Sequence, residues 1–306
     1  MNWTEITIKV PQKDTDLAAA IANMTVPYGI YIEDYSDLEE KAEEIAHINL
    51  IDEQLLAKDR TVSFIHIYIS ECDNALESLE FLKERFTAEN IEFQIDDKGV
   101  DDKDWNENWK KYFHTSEIGE KLVIVPSWET YDNKDNRVVL NIDPGAAFGT
   151  GTHATTSLCL SLLENHIDSN TTMLDIGTGS GILSIASVLL GAQKAIGVDI
   201  DAQSVKTAKE NAEINNIADK CEFIVGDLAD KISGKYNVIC ANIVADVIIK
   251  LFESVEQFLE KDAVFIISGI IDIRKDDVLA AANDKGFTVL KECYKDNWCA
   301  FVLQKN

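Results

Sequence analysis

The stretch Met173 to Asp201, MLDIGTGSGILSIASVLLGAQKAIGVDID, limits the fold more than any other part of the chain. Met173 to Ile176 are apolar apart from Asp175, the pattern of a strand buried on both faces of a parallel sheet. Gly177, Gly179 and Gly181 follow at alternate positions. Glycine tolerates positive φ and carries no Cβ to hold a ligand off the backbone. Ile182 to Leu190 is apolar and of helical length, and Gly191 ends it. Lys194 to Val198 reads as a second strand closed by Asp199. Together these form a βαβ unit with a nucleotide crevice at the strand's carboxyl end. Asp199 lies 22 positions after Gly177, the spacing at which a carboxylate accepts hydrogen bonds from a ribose in that crevice. Tight βα turns also occur without a ligand; the flanking strand and helix and the placed Asp199 tell against that here.

The rest of the chain splits around this unit. Thr4 to Val10 alternates as a strand, a helix capped by Asp14 or Asp16 runs to about Met24, and Gly29 to Tyr35 is a second strand. Ser36 to Lys58 is acidic and partly helical. Thr61 to Ser70 is a β-branched and aromatic strand. Asp73 to Asn90 is a helix with Leu76, Leu79, Leu82 and Phe86 on one face, and Ile91 to Ile95 is a fourth strand. That order suggests a small α+β domain of ferredoxin-like type, with His66 as a structural residue in mid-strand. Asp96 to Asp104 reads as an acidic linker, and Asp104 caps a helix with Trp105, Trp109 and Tyr112 at helical spacing. Two strands follow at Leu122 to Val125 and Arg137 to Ile142, then a glycine-rich loop and a helix from His153 to Glu164. Hydroxyls and free amides at that helix start can bind a carboxylate, and Thr156 can equally satisfy local backbone. His153 has no visible partner that would make it a base.

Beyond Asp201, a candidate N-cap, strands are expected at Cys221 to Val225, Tyr236 to Ala241 and Ala263 to Ser268. Helices lie between them, at 202–216 and Val244 to Leu259, with another at Asp276 to Lys285. Phe287 to Tyr294 and Trp298 to Leu303 close as a hairpin. The alternation makes a doubly wound parallel sheet with an antiparallel strand at its end. The expected organisation is 1–97 as an N-terminal α+β domain, 98–120 as linker and aromatic helix, and 121–306 as the nucleotide-binding domain.

Composition narrows the class. A formal net charge of −26 opposes direct nucleic-acid binding and suits either solubility or a cationic partner. The six cysteines form no CxxC pair and none lies at zinc spacing from a histidine, so no metal site is expected. Cys159, Cys221 and Cys240 read as buried hydrophobes, which fits a reducing cytosol. No signal peptide and no membrane span is read, so the expectation is a cytoplasmic protein, and a monomer.

The glycine spacing is G-x-G-x-G with Asp175 two residues ahead, which resembles the first motif of class I S-adenosylmethionine-dependent methyltransferases more than a dinucleotide fingerprint. DPGAAFGTGTHATTSLCL, LDIGTGSGILSIA, AIGVDIDAQSV and CANIVADV together resemble the methyltransferases of ribosomal protein L-eleven, the PrmA family. DWNENWKKYF and LVIVPSW also resemble it; the first hundred residues match mainly in architecture. The resemblance implies a Rossmann-like class I methyltransferase domain preceded by a substrate-recognition domain. The implied reaction is transfer of methyl groups from S-adenosylmethionine to lysine ε-amines and the N-terminal α-amine of ribosomal protein L-eleven. It places cofactor contacts at Thr156, Gly177, Gly179, Asp199 and Asn242, with Asp227 near the adenine. Asn242 also stands where it would aim the amine, followed by Ile-Val where many amine methyltransferases have Pro-Pro. The alternatives are another protein or small amine as acceptor, a non-catalytic cofactor-binding module, and a nicotinamide-dependent oxidoreductase. The last would need an acid–base group in a second domain, and none is visible.

Overall fold

The computed structural model describes residues 3–23, 25–26, 30–36, 38, 55, 58–70, 75–96, 114–143, 151, 153–228 and 231–306. Most of the acidic 36–58 segment, the Asp104-capped aromatic helix, and Thr150 and Thr152 lie outside the described residues. The chain divides into two units, Met1–Phe113 and His114–Asn306.

In the first unit, β1 (Trp3–Pro11), α1 (Thr15–Asn23), β2 (Tyr31–Glu33), β3 (Val62–Ser70), α2 (Ala75–Ala88) and β4 (Gln94–Asp96) follow one another. The sheet order is β2-β3-β1-β4, antiparallel throughout. Strand alternation sends Ile6, Ile8, Val10, Ile65, Ile67 and Ile69 to the core face, where α1 contributes Ala18, Ile21 and Ala22. Neither Asp14 nor Asp16 starts α1. Asp14 ends a 3-10 turn, and the Thr15 hydroxyl donates to the Gln12 carbonyl and to Ser63, each at 2.7 Å. His66, on the opposite face, is a structural residue, with Nδ1 3.0 Å from Glu5 and 3.2 Å from Thr7.

The second unit opens with a three-stranded sheet, β5 (Ser116–Ile118), β6 (Leu122–Pro126) and β7 (Val138–Ile142). β6 and β7 are parallel despite their short connection. Next come α3 (Ala154–Leu163), β8 (Thr172–Ile176), α4 (Ile182–Leu189), β9 (Lys194–Asp199), α5 (Ala202–Ile214), β10 (Cys221–Val225) and β11 (Tyr236–Asn242). The chain finishes with α6 (Ala245–Leu251), β12 (Leu259–Ile271), α7 (Lys275–Asp284), β13 (Phe287–Lys295) and β14 (Trp298–Lys305). The large sheet runs β10-β9-β8-β11-β12-β14-β13, with β14 antiparallel to both neighbours. This parallel sheet with a closing antiparallel hairpin is the Rossmann-like architecture that the sequence resemblance implies.

Strands leave β8 in both directions, through β9 to β10 and through β11 to β12. The carboxyl ends of β8 and β11 therefore flank the switch point where such sheets bind ligands. Leu174, Ile176, Ile239, Ala241, Phe265 and Ile267 are fully buried against α6 and α7. Each large apolar side chain so buried contributes about 1.5–3 kcal/mol. The expected helix from Val244 to Leu259 is shorter: α6 ends at Leu251, and a 3-10 turn carries Val255 and Phe258 into the core. The expected strand Ala263–Ser268 is longer, extending from Leu259 to Ile271.

Candidate active site

The glycine turn after β8 is built by backbone bonds. The amides of Gly177 and Thr178 donate to the Val198 carbonyl at 2.9 and 3.0 Å, tying the turn to the end of β9. Gly177, Gly179 and Gly181 have φ of +74°, +52° and +82°, so side chains there would be strained. At Gly177 the constraint is doubled: a Cβ would come within 2.5 Å of Ile243 Cγ2, in the segment that leaves β11. The two chain reversals on either side of the switch point thus touch through a position with no side chain.

Asp199 closes the turn from the β9 side. Its Oδ2 accepts from the Gly179 amide at 2.8 Å and its Oδ1 from the Asp201 amide at 3.0 Å. Two backbone donors fix the carboxylate at the strand end. They also commit the Gly179 N–H, so what Gly179 presents to a ligand is its bare Cα. Asp201 caps α5 by accepting from the amides of Gln203 and Ser204, as its sequence position suggests. Between the two aspartates Ile200 is 61% exposed, an apolar side chain on a backbone pinned at both neighbours. It presents apolar surface on which a heteroaromatic ring beside Asp199 can pack. Asp227 is exposed, one residue after Gly226, whose amide donates to the Asp199 carbonyl at 2.9 Å.

On the other side of the switch point, α3 brings Thr156 to the end of β11. Asn242 Nδ2 donates to Thr156 Oγ1 across a long 3.4 Å contact between residues 86 positions apart. Asn242 Oδ1 is buried and has no hydrogen-bond partner among the described residues. Asp175 lies beneath the turn, fully buried, its Oδ2 accepting from the Thr178 hydroxyl and from both the amide and hydroxyl of Ser184. Its Oδ1 has no partner among the described residues. Burial pushes the Asp175 carboxyl up to about 6, against the pull of those three donors. Asp175 carries a sequence signal, a lone carboxylate in an otherwise apolar strand, that by itself assigns it no role. Buried polar groups are nearly always paired, so the orphaned Asn242 Oδ1 at the switch point fits a ligand that brings a donor.

His153 is the N-cap of α3. Its Nδ1 lies 2.8 Å from the Thr155 hydroxyl, and its ring meets Trp298 edge-on at 5.2 Å. Burial and the nearby Lys295 hold its pKa down to about 4, so at neutral pH it is an uncharged capping group of low basicity. Gly151, φ +88°, has no room for a side chain between Ile124 and Ile182. Among the described residues no group of three or more His, Cys, Asp or Glu side chains could hold a metal ion. Nor is any helix among them long and apolar enough to cross a membrane.

Comparison with known proteins identifies the family. The family model described as Ribosomal protein L11 methyltransferase (PrmA) matches residues 2–306. A ribosomal protein L11 methyltransferase from Caldicellulosiruptor saccharolyticus is 40% identical over 310 residues, covering 100% of each chain. One from Alkaliphilus oremlandii is 36% identical over 309 residues, covering 99% of this chain and 98% of the relative. The crystal structure of a ribosomal protein L11 methylase from Lactobacillus delbrueckii subsp. bulgaricus aligns with a TM-score of 0.60 at 31% identity. That alignment covers 63% of this chain and 98% of the other. The chain belongs to the ribosomal protein L11 methyltransferase (PrmA) family.

Proposed function

We propose that this enzyme transfers methyl groups from S-adenosylmethionine to amines of ribosomal protein L11, the lysine ε-amines and the N-terminal α-amine. The observation that carries the reading is the pairing of Thr156 with Asn242 across the switch point, beside the orphaned Asn242 Oδ1. Asp199 holds the ribose hydroxyls, Gly177 and Gly179 let the backbone approach the ligand, and Thr156 and Asn242 line its methionine end. The cofactor, when bound, supplies a sulfonium-borne methyl group as electrophile.

What the chain contributes is mainly position and dryness. Methyl transfer needs nitrogen, methyl carbon and sulfur in a line, and holding that geometry supplies a large part of the acceleration. Asn242 Oδ1 accepts a hydrogen bond from the incoming amine and turns its lone pair toward the crevice. Ile243 and Val244, both buried, form an apolar wall beside it. An amine with pKa near 10.4 must arrive neutral, and desolvation against that wall favours the neutral form. Its proton leaves to water, and no protein base is required. Residues 1–97 serve as the substrate-recognition domain; the catalytic domain starts earlier than residue 121, at His114, because β5 pairs with β6.

Calorimetric titration of S-adenosylhomocysteine, run beside methyl-transfer kinetics, tests these roles. Asn242→Ala lowers kcat about a hundredfold and leaves cofactor Kd within about threefold. Asp199→Ala weakens cofactor binding by about a hundredfold or more, the loss of two hydrogen bonds to a charged acceptor at about 1.5 kcal/mol or more each. Equal losses of kcat and affinity in Asn242→Ala contradict the aiming role.

A further inference from the structure

The segment that carries Asn242 is held by little of its own. Asn242 ends β11, Ile243 and Val244 turn the chain, and α6 follows with seven residues. Its N-cap, Val244, makes no side-chain cap hydrogen bond. A helix this short does not sustain itself, so its placement is set by its neighbours. Beneath it, the Ile243 amide donates to the Ser268 carbonyl at 3.1 Å. Gly269, φ +81°, lets the Ile243 carbonyl approach to where a Cβ would stand only 2.4 Å away.

From above, the contact comes from one guanidinium. Arg274, between β12 and α7, donates from Nη2 to Asp246 Oδ1 at 2.7 Å and from Nη1 to Asp246 Oδ2 at 3.2 Å. Its Nε donates to Asp277 Oδ2, in the first turn of α7, at 2.8 Å. Asp246 lies in the first turn of α6, four residues after Asn242. A planar fork that grips one carboxylate with two bonds and is itself aimed by a third fixes orientation as well as distance. The buried Ala245, Ile248 and Leu251 supply apolar contact, which is non-directional.

We propose that Arg274 is a positioning residue for methyl transfer, setting the first turn of α6 and through it the direction of Asn242. This rests on the reading of Asn242 as the group that aims the amine. The Lys285–Glu253 ion pair, 3.2 Å apart, provides an internal control, because it joins the chain just beyond the other ends of α6 and α7.

The test compares Arg274→Gln, Arg274→Lys, Asp246→Asn, the Arg274→Gln/Asp246→Asn double variant and Lys285→Gln in the full-length enzyme. Steady-state kcat and KM for L11, Kd for S-adenosylhomocysteine, Tm and amide hydrogen exchange over residues 243–248 are measured for each. Arg274→Gln and Asp246→Asn each lower kcat about tenfold with cofactor Kd within about twofold, and the double variant loses no more than either single one. Arg274→Lys recovers part of the loss, since an ammonium makes no fork. Lys285→Gln keeps the unmodified kcat. Exchange at 243–248 quickens in Arg274→Gln. An unchanged kcat in Arg274→Gln, a matching loss in Lys285→Gln, or cofactor affinity falling in step with kcat overturns the proposal. Failure of the unmodified enzyme to methylate L11 would instead overturn the substrate reading, and the exchange measurement then decides alone: unaltered exchange at 243–248 refutes the positioning role.

Discussion

Asp175 is a carboxylate at the foot of a nucleotide crevice, buried completely, with one oxygen bonded to three donors and the other to none. Its folded-state pKa of about 6 exceeds the usual carboxylate value because burial penalises the charge. The sign of the consequence follows. Above pH 6 the folded state carries a charge it disfavours; between about 4 and 6 it takes up a proton that the unfolded chain does not, so this group adds stability as pH falls. From pH 7 to pH 5 the unmodified enzyme gains about 1 kcal/mol relative to Asp175→Asn, read from urea midpoints at the two pH values. A constant difference between the two proteins contradicts the raised pKa. At this scale the sequence was partly legible. Asp199 and the glycines announce themselves by spacing, because their roles are local. The Thr156–Asn242 contact spans 86 positions, so no local pattern encodes it; those residues were reached through the family resemblance. Asp175 was visible as a charge in an apolar strand, but two of its three donors, the amide and hydroxyl of Ser184, arrive only when α4 folds back over it.

Elements hold the crevice from behind as well. Glu164, at the end of α3, is 5% exposed and accepts from the amides of Glu120, Lys121 and Leu122 at 2.8–2.9 Å. One carboxylate therefore ties the helix that carries Thr156 to the turn between β5 and β6. Gly119 faces it so closely that a Cβ would sit 2.4 Å from Glu164 Oε2. Glu164→Ala strands three amides and costs about 3 kcal/mol, measured as a shift of the urea midpoint without change in slope. A loss under 1 kcal/mol would show that the clamp is incidental. Nothing in the sequence distinguishes Glu164 from an ordinary helix-end glutamate, since its partners lie more than forty positions upstream. The parallel core was legible because β8, β9, β10 and β11 are apolar runs separated by helical patterns. The bounds of β12 were not: Glu260, Lys261 and Asp262 are exposed within the strand and break its apolar signature. The short α6 was also hidden, because Val255 and Phe258 continue the apolar spacing through a 3-10 turn.

Over the whole molecule, 54 acidic residues against 28 basic ones give the enzyme a strongly negative field. Such a field draws in a cationic protein substrate and is screened by salt. The KM for L11 therefore rises several-fold between low and physiological ionic strength while kcat and the cofactor Kd hold steady; a salt-independent KM contradicts electrostatic capture. The change between the strand and helix order of the first hundred residues and the βαβ alternation that follows points to two parts, but the bounds at 97 and 121 do not coincide with the division at Phe113/His114. The three-stranded sheet of β5, β6 and β7 was not, because a parallel pairing of strands so close in sequence has no periodic signature. The most direct measurement incubates the purified enzyme with L11 and isotopically labelled S-adenosylmethionine, then maps the label by peptide mass spectrometry. Label on lysine ε-amines and on the N-terminal α-amine, abolished with Asp199→Ala, is the predicted result. An enzyme that binds the cofactor and leaves L11 unlabelled would contradict the account.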